Sequence, residues 1–192
     1  MSDLLKIFIK ALLVDNVVLV QYLAICPFIG MSADVGKATG MGIATSFVIL
    51  LATAVTWPIY KFIMIPLELE FLQTLIFILV IAALVQLVEF YLKKSSPALY
   101  SGMGIYLSLI TTNCAVLGVT IKCIAKNYNY GQSLVYALGS AAGFLMSLLV
   151  MAGIRKRLDI APVPKAFKGT PILFVAAGLL SLAFLGFSGL IK

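Results

Sequence analysis

The residues with the most distinctive chemistry are three cysteines, in a chain that contains no histidine. Two of them begin the same short pattern, Cys-x-x-x-Gly, at Cys26–Gly30 and at Cys114–Gly118. The third, Cys123, stands beside Lys122 and has no counterpart. Because histidine is absent, the usual proton shuttle and the usual ligand of haem and zinc are missing, which leaves thiolate chemistry.

The paired cysteines are compatible with three roles. A free cysteine often serves as a small buried hydrophobe, so both can be structural. A disulfide between Cys26 and Cys114 is a second role, since sequence does not give their separation. The third is iron ligation, but a [2Fe–2S] cluster normally takes four cysteines and this chain has three. Two cysteines from here and two from a partner of similar fold would complete such a site.

The segments that position these cysteines are strongly apolar. Of the 192 residues, 62% are hydrophobic and 11% are charged, whereas an average soluble domain has about 45–50% and 25%. Six stretches of at least 18 residues carry no charge, and about 20 residues of helix cross a bilayer. We therefore predict an all-α polytopic membrane protein with six transmembrane helices, at about residues 4–25, 38–62, 70–92, 98–121, 130–154 and 170–190.

Lysine and arginine positions predict the orientation. We expect residues 4–25 to be a first span rather than a cleaved signal, because Asp3 interrupts the basic segment that a signal would need. Loops 1–2, 3–4 and 5–6 carry eight cations and the opposite side carries six. The run Arg155–Arg157 directly follows span five, so the positive-inside rule places that loop in the cytoplasm and both termini outside. The net charge of +7 is then a topology signal, and no nucleic-acid partner is expected.

The sequence also contains a faint internal repeat. The two Cys-x-x-x-Gly patterns fall in spans one and four, and 38–44 resembles 136–142 downstream of them. We predict one transmembrane domain, 1–192, with repeat halves of about 1–95 and 96–192. Three spans are an odd number, so the second half enters the membrane from the opposite side, which gives an inverted-topology repeat.

Spans one and four are expected to be interrupted near their cysteines. Pro27 lacks a backbone donor, Gly30 and Gly118 are flexible, and residues 111–113 place three polar side chains in an apolar run. Irregular backbone at membrane depth has to be buried in protein or line a cavity. The alternative is that the small residues serve close helix packing.

Four segments of the chain resemble a known family: Asn16–Val20, Cys26–Gly30, Leu109–Gly118 and Ser181–Gly189. This family of membrane proteins includes the A-type subunit of the Rnf complex and the E-type subunit of the sodium-translocating NADH:quinone reductase. The likeness extends over the whole chain. The Cys-Pro-Phe sequence that begins at Cys26 is more similar to the Rnf branch, and the quinone-reductase branch is the alternative.

The resemblance implies a non-autonomous subunit of a redox-driven ion translocase, with no catalytic residue of its own. The complex would move electrons from reduced ferredoxin to NAD⁺ and translocate Na⁺ or H⁺. Cys26 and Cys114 would hold half of a [2Fe–2S] cluster shared with a homologous, E-like subunit, whereas Cys123 matches no ligand of the family. Further expected partners are the B-, C-, D- and G-like subunits, which carry iron–sulfur clusters and flavins. The expected location is the cytoplasmic (inner) membrane of a bacterium or archaeon.

Three polar residues are candidates for an ion pathway, because burying ionisable groups in a membrane is costly. They are Asp15 and Asn16 in span one and Glu89 in span three. The alternatives are that Asp15 pairs with a neighbouring subunit, and that Glu89 pairs with Lys93 four residues on. Two other functions stay open from the residues alone: a small secondary transporter, for which inverted repeats are equally expected, and a purely structural assembly subunit.

Overall fold

The computed structural model describes residues 2–66, 70–95, 109–110, 112–162, 164 and 167–189. All regular secondary structure in these ranges is helical, as predicted, and they contain no strand. The seven α-helices within them are α1 Ser2–Ile9, α2 Ile25–Met31, α3 Val35–Ile59, α4 Gln73–Ser95, α5 Cys114–Ala125, α6 Tyr130–Leu158 and α7 Thr170–Leu185. Other helical turns are the π turns Lys10–Val14 and Tyr60–Met64 and the 3-10 turns Glu70–Leu72 and Gly186–Gly189.

Three helical segments are long and apolar enough to cross a membrane. They are Val35–Met64, Gln73–Phe90 and Tyr130–Leu158, with 30, 18 and 29 residues, and they coincide with the predicted spans two, three and five. A helix rises about 1.5 Å per residue, so even the shortest covers most of a hydrocarbon core of about 30 Å. The prediction of a polytopic helical membrane protein is confirmed.

The ends of the remaining spans differ in detail from the prediction. Predicted span six consists of the 16-residue α7 and the 3-10 turn after it. Pro171 lies in the first turn of α7, where its missing N–H costs no helical hydrogen bond. Of predicted span four, the structure describes 109–110 and the residues from 112 onward, and α5 continues to Ala125. Residues 98–108 of that span lie outside the described ranges.

Span one is not a single helix. The π turn that ends α1 is followed by irregular turns over residues 15–24, the break, and then by α2. Tyr22 and Ala24 in the break have left-handed φ angles of 57° and 61°, which side-chain-bearing residues adopt at a cost. The predicted interruption is confirmed, but it precedes Cys26. Pro27 does not cause it, because Pro27 lies in the first turn of α2, where proline fits.

Among the described helices, the most extensive contact joins α3 and α6, the second helices of the two predicted halves. A Cβ atom on Gly42 of α3 would overlap the Leu145 side chain of α6. Across the same interface the Ser46 hydroxyl donates to the Ala141 carbonyl oxygen at 3.3 Å. Small residues that let backbones approach are typical of helix association in membranes. The segments that carry the second repeat pair therefore meet at the centre of the fold.

A second close approach seats α1 on α6. A Cβ atom on Gly139 would lie 2.7 Å from the Phe8 carbonyl oxygen and 2.8 Å from the Ala11 Cβ atom, and one on Gly143 would lie 3.0 Å from the Leu12 carbonyl oxygen. The π turn thus packs directly on the α6 backbone. The break begins directly after the π turn, so this contact also places the break against α6.

Candidate functional site

Cys26 lies on the outward side of α2. It is the second residue of this seven-residue helix, and its side chain is free and exposed. On the other side of α2, Phe28 and Met31 are buried in the core at 1% and 2% exposure. The apolar side chains thus dock the helix and leave the thiol accessible.

Cys114 has a matching position as the first residue of α5, and it too is free and exposed. Asn113 precedes it in extended conformation and caps the helix, since its Oδ1 atom accepts a hydrogen bond from the Ala115 N–H at 3.0 Å. Residues 112–113 are irregular. The predicted interruption of span four before its cysteine is therefore confirmed within the described residues.

The two cysteine segments touch through Leu23 and Gly118. A Cβ atom on Gly118 would overlap the Cδ1 atom of Leu23, so the missing side chain makes room for this leucine. Leu23 precedes Cys26 by three residues, and Gly118 follows Cys114 by about one helical turn. Gly30, the matching glycine of the first pattern, has nothing within 4 Å of its position for a Cβ atom. The glycine of the Cys-x-x-x-Gly pattern is therefore packed against a side chain in the second copy and has open space around it in the first.

These two thiols can supply two thiolate ligands but not a complete metal site. Within the described residues, no three Cys, His, Asp or Glu side chains lie close enough together to hold a metal ion. All three cysteines are free, so the disulfide alternative is not what this structure contains. The donor set fits one half of a four-thiolate site, and such a site would need its other two thiolates from another chain.

Cys123 has a different environment from the exposed pair. Its side chain is 1% exposed, and its thiol donates to the Ser133 carbonyl oxygen at a sulfur–oxygen distance of 3.8 Å. The residue packs between α5 and α6 as a small buried hydrophobe does. The structure thus separates the cysteine without a repeat counterpart from the two that have one.

Asp15, the first residue of the break, forms an ion pair with Lys126 just beyond α5. The two side chains are 22% and 30% exposed. The Lys126 ammonium also lies over the rings of Tyr136 and Tyr128, 4.8 and 5.9 Å from their centroids, which are cation–π distances. Asp15 therefore has its counter-ion within this chain, and the alternative of a partner in a neighbouring subunit is not needed to neutralise it.

Asn16 is fully buried and organises the break. Its Oδ1 atom accepts hydrogen bonds from two backbone N–H groups of the break, at 3.0 and 3.1 Å, and from the Ser147 hydroxyl at 3.2 Å. Its Nδ2 atom donates to the carbonyl oxygens of Gly143 and Leu12 at 3.2 and 3.3 Å. The amide thus satisfies backbone groups that a continuous helix would pair internally.

Glu89 lies apart from the other two candidates. It is half-buried on α4, and its carboxylate forms no ion pair or hydrogen bond with the described residues. The side chain of Lys93, its suggested partner, lies outside the described part of the chain. Among the described hydrogen bonds and ion pairs, none joins Glu89 to Asp15 or Asn16, so these three candidates do not share one polar network there.

The partners of two charged groups cannot be predicted from the sequence. Lys126 meets Asp15 across 111 residues of chain, and Arg155 donates to the backbone of Ile29 across 126 residues. A charge at the edge of an apolar segment is the available signal for each, but it does not name a partner.

A family model described as "Rnf-Nqr subunit, membrane protein" matches residues 4–191. The chain belongs to the Rnf-Nqr family. The match includes all the described α-helices after the first residues of α1, and both Cys-x-x-x-Gly patterns. It confirms the family resemblance that the four sequence segments indicate.

Curated Rnf-Nqr relatives match the chain along its full length. The A subunit of the ion-translocating oxidoreductase complex of Syntrophotalea carbinolica is 52% identical, covering 100% of this chain and 99% of that protein. The protein of the same name from Serratia proteamaculans is 50% identical, with 100% of both chains covered. The A subunit of the Na⁺-translocating ferredoxin:NAD⁺ oxidoreductase complex of Acetobacterium woodii is 52% identical, with 97% of both covered.

Proposed function

We propose that this Rnf-Nqr chain is the A-type membrane subunit of a complex that transfers electrons from reduced ferredoxin to NAD⁺ and translocates Na⁺ or H⁺. The relatives that support this are named as A subunits and match almost end to end. One of those names specifies ferredoxin, NAD⁺ and Na⁺. The same names favour the Rnf branch over the E-type subunit of the quinone reductase.

Within the complex, Cys26 and Cys114 each supply one thiolate to a [2Fe–2S] cluster shared with a homologous, E-like membrane subunit. When bound, the cluster provides a one-electron carrier. The observation that carries this proposal is the similarity of the two thiols: both are free and exposed, and each lies in the first turn of a helix that follows an irregular segment. The contact between Leu23 and Gly118 keeps the two segments side by side.

The chain's own part in this function is to hold and insulate. α2 is docked by its buried apolar side, so Cys26 is presented from a supported helix. Asn113 fixes the first turn of α5 and thereby the direction of Cys114. Chemistry with ferredoxin and NAD⁺ belongs to the B-, C-, D- and G-like subunits with their clusters and flavins, since the protein around a redox group supplies position and environment.

Replacing each cysteine in the purified complex tests the cluster. Cys26→Ala and Cys114→Ala should each abolish the electron paramagnetic resonance signal of the shared cluster and lower the iron content, because each removes one of four ligands. Cys123→Ala is the matched control and should keep both, since this thiol is buried away from the exposed pair. An intact cluster signal in Cys26→Ala would rule the assignment out, and a complex without that signal even as wild type would favour a simple transporter.

For ion coupling, we propose that Asp15, Asn16 and Glu89 contribute to the pathway. Asp15 is supported by its partial exposure inside a broken span, because broken helices in transporters place ion sites at such interruptions. Asn16 would act by holding the break in shape. Glu89 would act through its carboxylate on α4, which has no partner among the described side chains.

A further inference from the structure

Arg155, near the C-terminal end of α6, is bonded to the end of α2. Its Nη1 atom donates to the Ile29 carbonyl oxygen at 3.0 Å and to the Ser32 hydroxyl oxygen at 3.2 Å. The Ser32 hydroxyl itself donates to the Ile29 carbonyl oxygen at 3.1 Å. The three groups form a closed polar cluster at the C-terminus of α2, where a cation also interacts favourably with the unpaired helix carbonyls.

The same stretch of chain contains a cation that makes no such contact. Arg157 lies two residues further along, is exposed, and forms no side-chain hydrogen bond or ion pair with the described residues. Arg155 is half-buried. The arginine run that predicts topology thus contains one residue that binds inside the fold and one that does not.

α2 needs such an attachment because it is short and isolated by the break. It has seven residues, and Ala24, the residue before it, has a left-handed φ of 61°. The preceding helix therefore does not fix its direction, as it would in a continuous span. Buried apolar side chains hold one side of α2, and Arg155 fixes its C-terminal end, one turn beyond Cys26.

We propose that Arg155 is a positioning residue for the Cys26 thiolate and a fixed positive charge that raises the reduction potential of the cluster bound there. The proposal rests on the cluster assignment made above. Groups that support metal ligands commonly change metal affinity or activity by about 10–100-fold when removed. Net charge and hydrogen bonding near an iron–sulfur cluster set its potential. Reduction adds a negative charge, so a nearby guanidinium stabilises the reduced form.

The experiment compares Arg155→Gln with Arg157→Gln in the purified complex. Redox titration followed by electron paramagnetic resonance gives the midpoint potential, and iron analysis gives the cluster content. We expect Arg155→Gln to make the potential more negative and to weaken cluster retention against an iron chelator by about tenfold or more. Arg157→Gln, with the same change of charge at an exposed site, should match the wild type in both.

A conservative pair separates positioning from charge. Arg155→Lys keeps the charge but loses the planar guanidinium, so we expect the midpoint potential to lie between those of the wild type and Arg155→Gln, with a changed line shape of the signal. Arg157→Lys should have no effect. If Arg155→Gln does not assemble, Arg155→Lys against Arg157→Lys decides the matter.

Equal potentials, chelator resistance and line shape in the Arg155 and Arg157 variants would overturn this inference. That result would leave the cluster assignment intact provided that Cys26→Ala still abolishes the signal. A cluster that survives in Cys26→Ala would instead overturn the assignment itself. Loss of thermal stability in Arg155→Gln with an unchanged potential and unchanged retention would make Arg155 a structural residue and would also refute the proposal.

Discussion

Asp15 forms an ion pair within the fold, and it is also a proposed residue of the ion pathway. Its charge is balanced by Lys126, whose ammonium is also held over two tyrosine rings. An ion pair between partly exposed side chains contributes little to stability by itself, because water screens it. If an ion passes through this site, it has to displace the Lys126 ammonium from the Asp15 carboxylate. Lys126 would then compete with the ion for Asp15.

Charge-neutralising variants distinguish a role of Asp15 in ion transport from a purely structural role. In the complex, Asp15→Asn should lower the number of ions transported per electron while electron transfer continues, and Glu89→Gln should do the same if it lies on the pathway. Lys37→Met, at an exposed lysine, is the control for the Lys126→Met substitution that is combined with Asp15→Asn below. Ion uptake into vesicles is measured separately from NAD⁺ reduction.

The double variant Asp15→Asn with Lys126→Met gives the decisive comparison. If the Asp15 carboxylate itself binds the transported ion, removing its partner Lys126 does not restore the lost carboxylate. Ion transport should therefore stay low in the double variant. Recovery of coupling to the wild-type value would assign the pair a structural role. Unchanged coupling in Asp15→Asn would remove Asp15 from the pathway.

Among the described elements, α6 packs closely against several others. α3 approaches it on one side, and α1 with its π turn lies on Gly139 and Gly143 on another. In a bilayer, lipid tails are as apolar as leucine, so helix association depends on this contact geometry rather than on the hydrophobic effect. The stability of α1, and of the break that follows it, therefore depends on glycines of another helix.

Two glycine-to-alanine variants on α6 test this dependence. Gly139→Ala should lower the temperature at which the complex dissociates in detergent, because the new methyl group would press on Phe8 and Ala11; overpacking of this kind costs about 1–3 kcal/mol. Gly153→Ala is the control, since nothing lies within 4 Å of that position. It should be neutral or stabilising by up to about 1 kcal/mol through helix propensity. Equal dissociation temperatures would contradict the packing account.

The sequence predicts the elements better than it predicts their irregularities. Bilayer thickness sets a minimum length for an apolar helix, so charge-free stretches locate α3, α4 and α6 directly. The sequence predicts the break in span one beside Pro27, but the break lies before Cys26. Its shape depends on hydrogen bonds from Asn16 to Gly143 and Ser147, more than 120 residues away. Such a contact cannot be predicted from the neighbouring sequence.

Part of the candidate site can likewise be predicted from the sequence, and part cannot. Cys26 and Cys114 were found because each carries its pattern in a few adjacent residues. Their exposure, and the contact that joins their segments, depend on side chains from other parts of the fold. The lysine and arginine positions in the loops predict topology alone, whereas the fold uses Lys126 and Arg155 for internal contacts.

For the molecule as a whole, orientation across the membrane stays a prediction from the positive-inside rule. α3 offers a direct test, since Lys37 near its start and Lys61 in the π turn after its end are both exposed. With both chain termini outside, Lys37 faces the cytoplasm and Lys61 faces the exterior.

Single substitutions at these two lysines measure the orientation. A membrane-impermeant maleimide added to intact cells should label Lys61→Cys well above the wild-type background and should leave Lys37→Cys at that background. Disrupting the cells should make Lys37→Cys reactive as well. Labelling of Lys37→Cys alone in intact cells would show that the orientation is the opposite of the predicted one. The Arg155–Arg157 end of α6 would then face outward.

If the proposed cluster is bound, the contact between Leu23 and Gly118 bears on the speed of electron transfer. The Leu23 side chain occupies the place of an absent side chain at Gly118, so the two cysteine segments are in direct contact. Thiolates held in this way would change their positions little when the proposed cluster gained or lost an electron. A preorganised site has little to rearrange at the moment of reaction, so electron transfer through the proposed cluster would need only a small reorganisation energy at these two ligands.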